Sequence, residues 1–192
     1  MDVLTALHNR VSCALLTEPG PSAEQLEIML KAAVRAPDHA NLRPWRFLLI
    51  EGAAREQLGE VLVQAALTDT PDSAPESALD KVRRKTLRAP TIVVVVAKLT
   101  EHPKVPEIEQ IITAGAAATN LVTAAFALGV GAYWRTGGAA YHSVVKEGLG
   151  LAKNEVIIGF IYLGTPQVKL KPAPEIRIRD VLVSWGKIDV AS

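Results

Sequence analysis

The sequence predicts a layered sandwich of helices on a central sheet, and three observations carry that expectation. Thr91 to Ala97 (TIVVVVA) and Val156 to Leu163 (VIIGFIYL) are unbroken apolar runs of strand length, the pattern of strands covered on both faces. Helix-length segments with start and stop signals alternate with them. The 192 residues, 49% hydrophobic and 21% charged, suffice for one sizeable core and show no internal repeat or second-domain boundary. One domain covering residues 1–192 is expected.

The elements follow in order. A short helix is expected from Val3 to Asn9. A second runs from about Ala23 to Arg35, opened by Ser22 with Gln25 three residues on as a capping box, and stopped by Pro37. Arg46 to Glu51 (RFLLIE) reads as a strand and Ala53 to about Leu67 as a helix. Thr68 to Glu76 (TDTPDSAPE) is dense in turn formers and reads as a solvated loop with the reach of a lid. After the buried strand at Thr91, Lys104-Val105-Pro106 and Glu109-Gln110 start and cap a long helix. The run from Ile111 to Trp134 carries no charge and is long enough to span a bilayer. Its Ala, Gly and Thr, with Asn120 at the middle, are not the Leu-, Ile-, Val- and Phe-rich chemistry that spanning requires. A helix apolar on every face needs cover all round, which places it at the centre of the domain or at a subunit interface. A short helix near Ser143 to Leu149 precedes the strand at Val156. Lys169 to Pro174 reads as extended, and Ile176 to Trp185 alternates imperfectly, as an added edge strand would.

Charge and cysteine usage narrow the partners. A net charge of +1 gives no field for nucleic acid or an anionic membrane, so the expected ligand is a small molecule. The single cysteine, Cys13, has no internal disulfide partner, and no charged-then-apolar leader precedes it; a cytoplasmic location is expected. His8, His39, His102 and His142 stand at no ligand spacing, so no metal site is expected.

Two fragments carry the chemistry. Arg35 to Phe47 (RAPDHANLRPWRF) ends a helix in cationic and hydrogen-bonding groups before entering a strand. Trp134 to Gly138 (WRTGG) sets an aromatic plane beside an arginine, a hydroxyl and two glycines that let a ligand approach the backbone. Near the N-terminus, Arg10 and Ser12 offer a charge-assisted contact and a hydroxyl donor of the kind a phosphate takes. Taken singly, Arg10 and Arg35 equally fit helix-terminal charges and WRTGG fits a glycine-rich turn. Gly129 and Gly131 follow a helix, where a dinucleotide fingerprint needs strand then helix, and no GxxxxGK[ST] phosphate loop occurs.

Together these fragments resemble the nitroreductase family of flavin-mononucleotide (FMN) enzymes. Within it they are most similar to the small, single-domain bacterial NAD(P)H nitroreductases of the YdjA-like group. The resemblance runs from the opening helix to about Pro166. It implies an α+β fold, a three-layer α/β/α sandwich on a central mixed, mostly antiparallel sheet, and an obligate-type homodimer. The segment from about residue 169 would pack on the partner subunit. FMN would lie near the interface, held by Arg10, Val11, Ser12, Arg35, His39, Asn41, Trp134, Arg135 and Thr136. Val11 stands where the family usually has a second arginine, so its contribution would be backbone or packing. Trp45, after Pro44, is assigned to packing. The implied reaction takes a hydride from NADH or NADPH and reduces a small acceptor such as a nitroaromatic or quinone in ping-pong fashion, with the flavin N5 and no protein group carrying the hydride. The same cradle would serve a flavin-binding module without turnover, and Val11 is the feature that favours that alternative.

Overall fold

The computed structural model describes residues 1–70 and 74–186. Its centre is strand β3 (Thr91–Lys98), whose first seven residues are all buried. On one side β3 pairs with β2 (Trp45–Glu51), and on the other with β5 (Glu155–Pro166). β5 also carries β1 (Leu16–Thr17) and β4 (Gly131–Arg135). Every one of these pairings is antiparallel, which corrects the expectation of a mixed sheet. Neighbouring strands such as β2 and β3 return through α3 (Ala54–Asp69) and α4 (Glu76–Arg83) in a direction that no single right-handed crossover enforces.

The sheet is covered on both faces, giving the expected three layers. Ile92, Val94 and Val96 of β3 enter a core with Leu58 and Ala65 of α3 and Val145 of α6 (Ser143–Gly148). Val93 and Val95 enter the opposite core with Met29 and Ala33 of α2 (Ala23–Ala33) and Ala117, Ala118 and Leu121 of α5 (Glu107–Ala127). Two apolar layers leave no solvent face for alternation, so the β3 sequence runs unbroken. α1 (Val3–Asn9) packs on α5, and α2 begins with the expected capping box, Ser22 Oγ accepting from Gln25 N–H and Gln25 Oε1 from Ser22 N–H.

Helix α5 ends earlier than the apolar run suggests. Gly129 takes φ +75 just past its last turn, and the Gly129 and Val130 N–H groups donate back to Phe126 and Ala125 O, a Schellman stop. The chain then forms β4, a strand hidden in that charge-free stretch. α5 is also not covered all round: Ile108 and Ile112, one turn apart, are exposed. Among the described residues it is the one helix long and apolar enough to cross a membrane, and its buried face packs on the sheet and α2.

Two further expectations change. α3 extends through Asp69 and α4 begins at Glu76, so the loop expected from Thr68 to Glu76 shortens to its middle, of which residues 71–73 lie outside the described residues. The segment Ile176 to Trp185 forms no strand. It makes a 3-10 turn at Ile178–Asp180, closed by Asp180 N–H to Arg177 O, because three consecutive apolar residues at 181–183 break the alternation that one sheet face would need.

Candidate functional site

Strand β4 positions the site. Alternation along it sends Tyr133 and Arg135 to one face and Trp134 to the other. Trp134 is seated by its neighbours on β5. A bulge between the Val95–Gly159 and Val96–Ile157 pairs leaves Ile158 out of the ladder. The Trp134 Nε1–H donates to the Ile158 carbonyl at 3.3 Å, and the ring lies over Gly159, where a Cβ would stand 2.1 Å from Nε1. Trp134 is therefore an anchor that holds the strand exit in place.

On the other face, Arg135 lies with its guanidinium carbon 4.3 Å from the Tyr133 ring centroid and 5.4 Å from that of Tyr162. Its Nε is buried and has no hydrogen-bond partner among the described residues. A buried charged donor left unmatched costs about 1–3 kcal/mol, so such a group is poised for an acceptor from outside the chain. It lines a cavity of about 410 Å³ together with Lys85, Arg88, Thr136, Tyr133 and Tyr162. Three cations and no carboxylate among the described lining residues give this cavity the chemistry of an anion site. Burial pushes the Tyr162 phenol above its ordinary value, against the opposing pull of Arg135 and Arg88.

The rim of the cavity is backbone. Gly137 sits at φ 65, ψ −170, a conformation reserved for glycine, and a Cβ there would meet nothing within 4 Å. A ligand can thus approach the main chain at Gly137 and Gly138 without meeting a side chain.

The N-terminal trio lies along the same edge of the sheet. Arg10, Val11 and Ser12 follow α1, and the next N–H, that of Cys13, donates to Ala132 O of β4 at 2.8 Å. Arg135 and Arg88 also border a second recess with Ala14, Leu15 and Leu16. None of the trio lines either recess, although the two recesses share Arg135 and Arg88.

Arg35, His39 and Asn41 occupy a separate place, at the exit of α2, and none of them borders the cavity. The turn there is unusual: Ala40, Asn41 and Arg43 have φ of 61, 53 and 50, and Asp38 Oδ2 accepts from Arg43 N–H at 2.7 Å. Left-handed backbone at Ala and Arg costs on the order of 1 kcal/mol each, and such strain concentrates at ligand sites. Helix α5 holds this turn: Glu109 meets His39, Thr113 Oγ1 donates to Pro37 O at 3.0 Å, and Asn120 Nδ2 donates to Ala32 O at 3.2 Å. Asn120 in the charge-free run is thereby accounted for. Trp45 packs against the α2 and α5 core as expected. Among the described residues no three His, Cys, Asp or Glu side chains are grouped to hold a metal ion.

The family model for nitroreductases matches residues 8–165. The chain belongs to the nitroreductase family. It is 46% identical over 169 residues to YdjA of Escherichia coli strain K12, a protein provisionally designated an NAD(P)H nitroreductase; the match covers 88% of this chain and 91% of that one. Among solved structures, a nitroreductase-like family protein from Bacillus cereus aligns with a TM-score of 0.82 at 21% identity over 97% of both chains. A protein from Desulfovibrio desulfuricans, provisionally called a nitroreductase and solved in complex with FMN, aligns with a TM-score of 0.73 at 22% identity over 96% of both chains. These two likenesses establish the nitroreductase fold.

Within this family member, sequence reasoning missed Lys85, Arg88, Tyr133 and Tyr162. The tyrosines flank the strand pair β4–β5 in register, Tyr133 opposite Tyr162. The cations sit in the 3-10 turn Arg84–Arg88, whose basic run RKTLR was the available signal.

Proposed function

We propose that the chain is an FMN-dependent oxidoreductase that takes a hydride from NADH or NADPH and reduces a small acceptor, such as a nitroaromatic or a quinone, in a ping-pong cycle. The observation that carries this is Arg135, a half-buried cation whose buried Nε is unmatched among the described residues, at an acid-free cavity beside a glycine-only backbone rim. An anionic, planar cofactor fits that chemistry: phosphate oxygens supply the missing acceptors, and the rim and tyrosines accept a flat ring system. The FMN complex of the Desulfovibrio protein and the NAD(P)H designation of the Escherichia relative support the assignment.

When bound, FMN supplies the hydride-carrying centre at its N5, so no protein nucleophile is required. The protein's part is binding and electrostatics. Arg135, with Arg88 and Lys85, would neutralise the phosphate, aided by Arg10 and Ser12 and by the backbone at Val11. Trp134 holds β4, and Thr136 with the N–H groups after it would face the ring. Among the described residues no dinucleotide-binding fold accompanies the site, so the nicotinamide donor would enter the same cavity as the acceptor, each in turn.

Arg35, His39 and Asn41 would complete the site across a homodimer interface. Supporting this are the separation of that strained turn from the Arg135 cavity and the apolar side chains left open at Val3, Leu4 and Leu7 of α1 and Ile108 and Ile112 of α5. The tail from about residue 169, with Ile176, Ile178, Val181 and Trp185 exposed, would pack on the partner, and the dimer would work in the cytoplasm. The test is an FMN titration of the native protein and Arg135→Ala, with a sizing measurement alongside. Loss of one charge-assisted contact should weaken FMN about 10- to 100-fold. An unchanged affinity would overturn the assignment of Arg135.

A further inference from the structure

His39, about half exposed, meets one side chain among the described residues. Its Nδ1 lies 2.7 Å from Glu109 Oε2, and its Nε2 makes no hydrogen bond among the described residues. A carboxylate ionised at neutral pH can only accept, so the proton of a neutral His39 ring must sit on Nδ1. Nε2 is then a bare acceptor on the opposite side of the ring.

Glu109 is a firm reference point. It lies in the first turn of the 21-residue helix α5, on the same face as Thr113 and Asn120, whose hydrogen bonds to Pro37 and Ala32 carbonyls clamp α5 to the exit of α2. The start of α5 is itself pinned by the buried amide of Gln110, which accepts from Thr100 N–H and donates to the Thr100 and Val105 carbonyls. The carboxylate therefore meets His39 from a rigid support, while Ala40, Asn41 and Arg43 hold the turn in left-handed backbone.

We propose that Glu109 is a positioning residue that sets the tautomer of His39, so that His39 meets its ligand as a hydrogen-bond acceptor through Nε2. The ligand group it takes is then an N–H or O–H donor. On the flavin reading above, on which this rests, such donors are the ring N3–H and the ribityl hydroxyls. A phosphate oxygen, which offers no proton at neutral pH, is not a match for this nitrogen.

The test begins with flavin-free protein labelled with 15N in its histidines at pH 8, where long-range proton–nitrogen spectra distinguish the two neutral tautomers and the imidazolium. The His39 signals are identified by their loss in His39→Gln. The native protein should show the proton on Nδ1. Glu109→Gln, whose amide oxygen can still accept, should keep that pattern, and Glu109→Ala should shift it towards the Nε2-protonated form. FMN affinity should fall about tenfold in Glu109→Ala and stay within a few-fold in Glu109→Gln. A proton on Nε2, or an imidazolium, in the native protein would overturn the inference, as would a tautomer unmoved by Glu109→Ala. Failure of the native protein to bind FMN would instead overturn the flavin reading, and the flavin-free spectra keep the two failures apart.

Discussion

Gly137 and Gly138 are adjacent, both have open space where a Cβ would stand, and yet alanine should act oppositely at the two. At Gly137 the backbone has φ 65 and ψ −170, where an L-residue is strained by about 1–3 kcal/mol. Reduced freedom of the unfolded chain returns about 0.4–1 kcal/mol, so Gly137→Ala should lose up to about 2.6 kcal/mol net. At roughly 2–4 °C per kcal/mol for a chain of this size, Tm should fall by up to about 10 °C. Gly138 begins a 3-10 turn with no left-handed φ, so Gly138→Ala carries the unfolded-state gain alone and should be neutral or up to about 1 kcal/mol more stable. Because neither methyl meets an atom within 4 Å, packing drops out of the comparison. Urea unfolding with a constant m-value measures both. Equal effects of the two substitutions would refute the claim that the cavity rim depends on a glycine-only conformation.

Other outcomes follow from the same structure. Gly159→Ala should displace the Trp134 ring, since the new Cβ would fall 2.1 Å from Nε1 and 3.0 Å from Arg135 O; a loss of about 1–3 kcal/mol and a changed tryptophan fluorescence spectrum are expected. Glu155 is 3% exposed and Arg46, 39% exposed, bonds both its oxygens. Burial pushes that carboxyl up, but the Ala152 N–H, Arg46 and Lys98 together outweigh burial and leave it below its ordinary 4.5. Its contribution is thus present above pH 4.5 and lost as pH falls through the lower folded value. Arg46→Met should cost about 1–3 kcal/mol at pH 7, less than a fully buried pair because Arg46 is partly solvated, and denaturant titrations should show the deficit shrinking on acidification. Ala40→Gly relieves a φ of 61 and should raise stability by up to about 1 kcal/mol in the same urea assay.

The elements the sequence made legible were those whose signal is local. The Ser22–Gln25 capping box fixes the start of α2, and an unbroken apolar run marks β3 because helices cover it on both sides. β4 was obscured because Gly131 and Ala132 continue the composition of α5, and the boundary depends on one glycine, Gly129, entering the left-handed region. Trp134, Arg135 and Thr136 were legible as a group because they are consecutive. Lys85 and Arg88 were not, since they join Arg135 through the packing of α3 and the turn before β3 rather than through spacing in the chain. Glu109 and Gln110 read from the sequence as residues that start and cap α5; their side chains instead bond at a distance, Glu109 to His39 and Gln110 to the loop at Thr100.

The most direct test of the account is the visible spectrum of the purified protein after FMN is added and the excess removed, repeated anaerobically with NADH and with NADPH. The account predicts a bound flavin spectrum that bleaches with at least one donor. A protein that retains no flavin would contradict the cofactor assignment, and a bound flavin that stays yellow with both donors would contradict the oxidoreductase cycle.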